Sequence, residues 1–144
     1  MRLSALALTV TLAAGAALAH EGVQNPAVME RMDLMKGIGA ETRALGEMVQ
    51  GKTAFDPVRA AEARAALTEA AARIPSLFEA RETDPKSEAL PAVWEDWTGF
   101  VAQAEAMEAA ARDLQTGSAQ ALRNSFADLG QSCRACHEDY RLDD

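Results

Sequence analysis

The chain has 144 residues, 49% hydrophobic and 25% charged, a length and balance that suit one globular domain. With 22 acidic against 14 basic residues, its formal charge of −8 argues against nucleic acid and anionic lipid as partners, because both are held by Lys and Arg. Two cysteines and two histidines are too few for a disulfide framework or an all-Cys/His zinc site, and a chain rich in Ala but poor in Val and Ile favours helices over sheets.

The first nineteen residues, MRLSALALTVTLAAGAALA, place one cation, Arg2, before an acid-free apolar run that ends in the small-x-small pattern Ala17-Leu18-Ala19. That is the form of a secretory signal, and it is too short and wrongly flanked for a membrane anchor. Cleavage after Ala19 would leave residues 20–144 as a single domain of 125 residues, with 13 basic against 22 acidic residues and a net charge of −9. The expected address is the periplasm of a Gram-negative host. Once the signal is removed, no stretch is apolar and long enough for stable membrane insertion.

Proline and glycine divide the remainder into four helical segments. Pro26 opens the first, and Gly51 closes it. Asp56-Pro57 starts the second, with Asp as N-cap and Pro at the first helical position; it should end by Ile74-Pro75, because a residue before proline avoids the α region. A polar connection follows to Leu90, in which the acidic run from Glu79 to Glu88 reads as solvated loop. Pro91 opens the third segment, which stops after Leu114, and Ser118 caps the fourth, which nearly reaches the C-terminus.

Steps of three and four trace an apolar seam along each segment. The third reads Val93, Trp97, Phe100, Ala104, Met107, Ala111, Leu114, and the fourth Ala119, Leu122, Phe126, Leu129, Cys133, Cys136, Tyr140. The second reads Ala60, Ala63, Leu67, Ala70, Ile74. The first, Val28, Met32, Met35, Gly39, Thr42, Gly46, Val49, holds two glycines and a threonine where Leu or Ile is expected. Either the helices approach closely there or the seam leaves room for something flat and bulky. Four amphipathic helices with short to moderate connections predict an all-α, antiparallel four-helix bundle.

Cys133-Arg134-Ala135-Cys136-His137 is C-x-x-C-H, the attachment signal for haem c. Positions i, i+3 and i+4 share one helix face, so two thiols can form thioethers with one haem while the neighbouring imidazole is aimed at its iron. A thioredoxin-like pair needs a βαβ context, structural zinc needs four ligands, and a plain disulfide has no use for the histidine. The motif therefore predicts one covalent haem c on Cys133 and Cys136, with His137 as proximal iron ligand. It also agrees with export.

The C-terminal CRACHEDYR resembles that of the class II cytochromes c, which include cytochrome c-prime and its low-spin relatives. GKTAFD at Gly51–Asp56 and PAVWEDWTGF at Pro91–Phe100 resemble landmarks of the same family. The resemblance covers nearly all of the chain after the leader. It implies a four-helix bundle with haem near the C-terminus, and either of two functions. An open sixth position suits a five-coordinate protein that binds NO or CO. A protein ligand there suits a low-spin electron carrier rather than an enzyme.

Counted back from GKTAFD, the family's distal position falls on Met35, and the run Asp33-Leu34-Met35-Lys36 looks like the Met-ligated branch. Met32 on the same seam is the rival ligand, and packing without ligation is the third possibility. The resemblance also places Arg31 near the haem propionates and Arg141 near the proximal imidazole; an exposed helix arginine is the plainer role for Arg31. Trp94, Trp97 and Tyr140 read as packing, and His20 as a terminal residue without a role. The expected partners are redox proteins, to which the net acidic charge assigns a basic docking patch. Family members are monomers or homodimers.

Overall fold

The computed structural model describes residues 22–142. The expected leader, Met1–Ala19, and His20 lie outside the described residues. Five helices are present among the described residues: α1 Pro26–Val49, α2 Pro57–Phe78, α3 Ala92–Glu95, α4 Trp97–Arg112 and α5 Ala119–Tyr140. The four long ones form a four-helix bundle, and α3 is a single turn leading into α4. No helix among the described residues is long and apolar enough to cross a membrane.

The helix starts follow from local chemistry. Asn25 caps α1, its Oδ1 accepting from the backbone N–H of Ala27 at 2.9 Å, and Asp56 caps α2 through Val58 N–H at 2.9 Å. Pro26 and Pro57 occupy the first helical positions, where no N–H is needed. Ser118 caps α5 through Ala121 N–H. Gly51, at φ +71°, turns the chain out of α1 in a conformation that a side chain would strain.

Two boundaries differ from the sequence expectation. α2 continues through Pro75 to Phe78. Proline removes one intrahelical bond, but only one turn from the helix end, and Ile74 and Phe78 bury their side chains on either side of it. The third segment is broken at Asp96 (φ −121°, ψ 57°), whose carboxylate caps α4 through Gly99 N–H and accepts from the Tyr140 hydroxyl at 2.9 Å. A Cβ on Gly99 would collide with both that carboxylate and that hydroxyl, which accounts for the glycine.

The core is built from the expected seams of α2, α4 and α5, with Ala60, Ala63, Leu67, Ile74, Phe100, Ala104, Met107, Ala111, Leu122 and Leu129 all buried. In α1 the expected seam is buried only at Val28 and Gly46. Leu34, Ile38, Leu45 and Met48 enter the core, while Met35 and Thr42 are half-buried and Gly39 is exposed. α1 therefore carries two stripes, one toward α2 and one toward α5. The contact between α1 and α5 is the thinnest of the four around the bundle.

The connection 79–91 is a strap rather than free loop. Gln24 and Asn25 N–H donate to Asp84 Oδ2 at 2.8 and 3.1 Å, which ties the strap to the start of α1. The N–H of Lys86 and that of Gln24 hold the Asp84 carboxyl below the usual range. At its other end Leu90 N–H donates to Tyr140 O at 2.9 Å and Leu142 N–H to Glu88 O at 2.8 Å, an isolated antiparallel bridge of Ala89 with Arg141.

Candidate functional site

Between α1, α5 and the strap lies a cavity of about 370 Å³, open on one side and mostly apolar. α1 contributes Val28, Arg31, Met32, Met35 and Lys36. α5 contributes Cys136, His137 and Tyr140, with Arg141 just beyond its end. Cys133 sits one helical turn before Cys136, half-buried against the core, and both cysteines are free thiols. Helical spacing thus places the C-x-x-C-H motif along one wall and two methionines along the other.

The cavity fits a flat apolar group. Val28, Met32, Met35, Phe78, Val93 and Phe100 give it an apolar lining. At Gly46, farther along the seam, the Phe126 ring closes in to 3.4 Å of a Cβ position and the helices meet. Of the two expectations for the glycine-rich seam, close approach is met at Gly46.

Burial raises both thiols, Cys136 up to about 11 with help from Cys133 and Asp139. A thiol–disulfide catalyst needs the opposite shift, so these are not activated cysteines. Burial lowers the basicity of His137; Arg141 lowers it further, and Glu88 acts against both. Arg141 Nε donates to Glu88 Oε2 at 2.7 Å, which pins the strap beside the motif. The Tyr140 phenol is pushed up to about 12 by burial and by Asp96.

Arg31 is 3% exposed. Its Nε donates to Leu77 O at 2.8 Å, Nη1 to Glu82 O at 2.8 Å and Nη2 to Ala80 O at 2.6 Å. The guanidinium also lies 4.8 Å from the centre of the Phe78 ring and 5.5 Å from that of Trp94. Trp94 Nε1–H donates to Phe78 O at 2.7 Å. Arg31 is a buried clamp on the end of α2 and the strap, and not the exposed helix arginine considered from sequence.

The profile of the family described as Cytochrome C' matches residues 26–141. The chain belongs to the cytochrome c' family. It is 37% identical to a cytochrome c-554 of Cereibacter sphaeroides, over 97% of both chains, and 30% identical to a cytochrome c' of Rhodopseudomonas palustris, over 98% of this chain and 96% of that one. A solved structure of Rhodopseudomonas palustris cytochrome c' superposes with a TM-score of 0.76 at 26% identity, covering 83% of this chain and 98% of that chain. As a member of the cytochrome c' family, this chain is a monohaem cytochrome whose cofactor is covalent haem c.

The sequence-predicted residues Met32, Met35, Arg31, Cys136, His137 and Arg141 thus line one cavity, with Cys133 a turn away on the same helix. Sequence reasoning gave no role to Ser87, Glu88, Ala89 and Lys36, which line it as well. The three strap residues reach it through contacts with α5 some fifty positions away, for which local pattern holds no signal. Lys36 was legible only as the neighbour of Met35.

Proposed function

We propose that the chain is a low-spin, His/Met-ligated electron carrier, exported to the periplasm by the leader at residues 1–19. The observation that carries this reading is the single cavity that draws Met35 from α1 and Cys136 and His137 from α5. Bound haem supplies a one-electron iron couple. Cys133 and Cys136 would hold it by thioethers, and His137 and Met35 would offer its iron a nitrogen and a sulfur. Of the two methionines on the wall, Met35 is the one that also packs on the core, so its thioether is the better fixed.

A His/Met pair raises the reduction potential and leaves no open position for exchange. Val28, Val93, Phe78 and Phe100 keep the site apolar. Arg31, with three of its five N–H groups on carbonyls, keeps two for a propionate, and Arg141 stands beside the proximal imidazole. The physiological reaction is electron exchange with a redox partner protein.

The test is an optical spectrum of the matured protein. Low-spin bands in both oxidation states, with no CO binding on reduction, are expected. Met35→Ala should convert the iron to high spin and admit CO. A wild-type spectrum that is already high spin and shifts with CO would move the protein to the gas-binding reading. A low-spin spectrum that survives Met35→Ala would remove Met35 as the ligand.

A further inference from the structure

We infer that the rim of the α1–α5 groove is a docking face for an acidic redox partner, although the chain as a whole is acidic. The inference rests on the haem reading above and names the partner for that site. Net charge alone argues for a basic partner, but the charges are not spread evenly.

Arg123, Arg134 and Arg141 are spaced eleven and seven residues apart, so at 100° per residue they fall within about 20° of one another on α5 and its end. His137 lies three residues after Arg134 and four before Arg141, on the adjoining strip. Arg123 donates from Nε and Nη2 to Val49 O at 3.3 and 3.2 Å, which shows that this stripe faces α1. Across the groove Lys36 and Arg43, seven residues apart, share one flank of α1, and Lys36 lines the cavity together with Arg141. Lys36, Arg43, Arg123 and Arg134 are exposed.

Most acids of α1 and α5 lie on the other side. Glu30, Asp33 and Glu41 of α1 line the groove toward α2, where Glu30 and Glu41 meet Arg73 and Arg59. Asp128 and Asp139, eleven residues apart, occupy the flank of α5 that turns away from the arginine stripe. Arg81 and Arg112 are paired with Glu95 and Glu108. Arg43, Arg123 and Arg134 enter no ion pair among the described residues, so the bundle leaves their charge for an outside group. Among the described residues, three carboxylates, Glu47, Glu88 and Glu138, share the rim with five cations, and of these Glu88 is paired with Arg141.

At physiological ionic strength a charge is felt over about 8 Å, so a docking partner senses the rim and not the total. Carboxylates on that partner would bring its redox centre over the open side of the cavity and reject a basic surface there.

The test compares two double variants that change net charge equally on opposite faces of the holoprotein: R43Q/R134Q on the rim and R59Q/R112Q away from it. At 0.1 M ionic strength, oxidation of the reduced protein by hexacyanoferrate(III) should slow about three- to tenfold in the rim variant and stay within about twofold in the other. Poly-L-glutamate should shift the amide signals of Lys36, Arg43, Arg123 and Arg134, and the rim variant should lose those shifts. Equal rates in the two variants over a normal haem spectrum overturn the docking face and leave the haem reading standing. A matured protein without covalent haem overturns both. Co-sedimentation with phosphatidylglycerol vesicles, without poly-L-glutamate shifts, assigns the rim to a lipid surface and overturns the protein partner.

Discussion

Arg31 shows how one side chain can close a structure. At the end of α2 and along the strap, the planar guanidinium reaches the carbonyls of Leu77, Ala80 and Glu82 at once while lying over Phe78 and Trp94; of the three, Ala80 O also accepts from Glu82 N–H at 2.8 Å. Burial lowers the basicity of Arg31, and the nearby Glu82 offsets part of that. An ammonium on a four-carbon stem does not reproduce the fork. Arg31→Lys should therefore cost about 2 kcal/mol of stability, read as a lower denaturant midpoint, with the haem spectrum unchanged. An unchanged midpoint would mean that the carbonyls find other donors and that the clamp is not a stability element.

At the scale of elements, the break at Asp96 couples two helices. Its carboxylate caps α4 and takes the hydroxyl of Tyr140, which ends α5; Tyr140 in turn meets Phe100 edge-on at 5.3 Å, and Phe100 meets Phe78 at 5.2 Å. The phenol ordinarily titrates near 10 and is pushed up to about 12 here, so the fold favours its neutral form. The resulting stabilisation is whole below pH 10 and is lost as pH rises toward 12. In thermal melts the wild type should lose stability across that window more steeply than Tyr140→Phe, which should be less stable by about 1 kcal/mol at pH 7. Parallel curves would show that the phenol does not titrate against the fold.

The caps at Asp56 and Ser118, the α2, α4 and α5 seams and the C-x-x-C-H face were legible in sequence because each is written within one helix in near-neighbour spacing. The break at Asp96 was not, since its cause is a tyrosine forty-four residues away. The strap was not legible either, because its polar residues look solvated until Asn25, Arg31 and Arg141 are brought to them. The α1 seam was misjudged for a different reason. That helix carries two stripes, and periodicity alone does not say which one faces the core.

For the whole molecule, the decisive asymmetry is that α1 and α5 pack on each other less than any other pair of neighbouring long helices. α1 packs on α2, and α2 on α4, through buried side chains, whereas α1 and α5 meet closely where Phe126 lies over Gly46 and where Arg123 reaches Val49 O. Beyond that point the cavity between α1, α5 and the strap opens, with the C-x-x-C-H motif along its wall. The low aromatic content of 5% agrees with this, since a flat apolar cofactor replaces core that the chain does not encode. Local opening free energies follow buried contact, so protein without haem should loosen first along this side. In Cys133→Ser/Cys136→Ser, which holds no covalent haem, the helices should persist. Amide exchange in the half of α5 after Gly130 should accelerate at least tenfold relative to the holoprotein, on the order of 1.4 kcal/mol in opening free energy, while the middle of α2 stays protected. Uniform acceleration across all four helices would mean that the haem supports the bundle as a whole, and that the open side is not its separable weak seam.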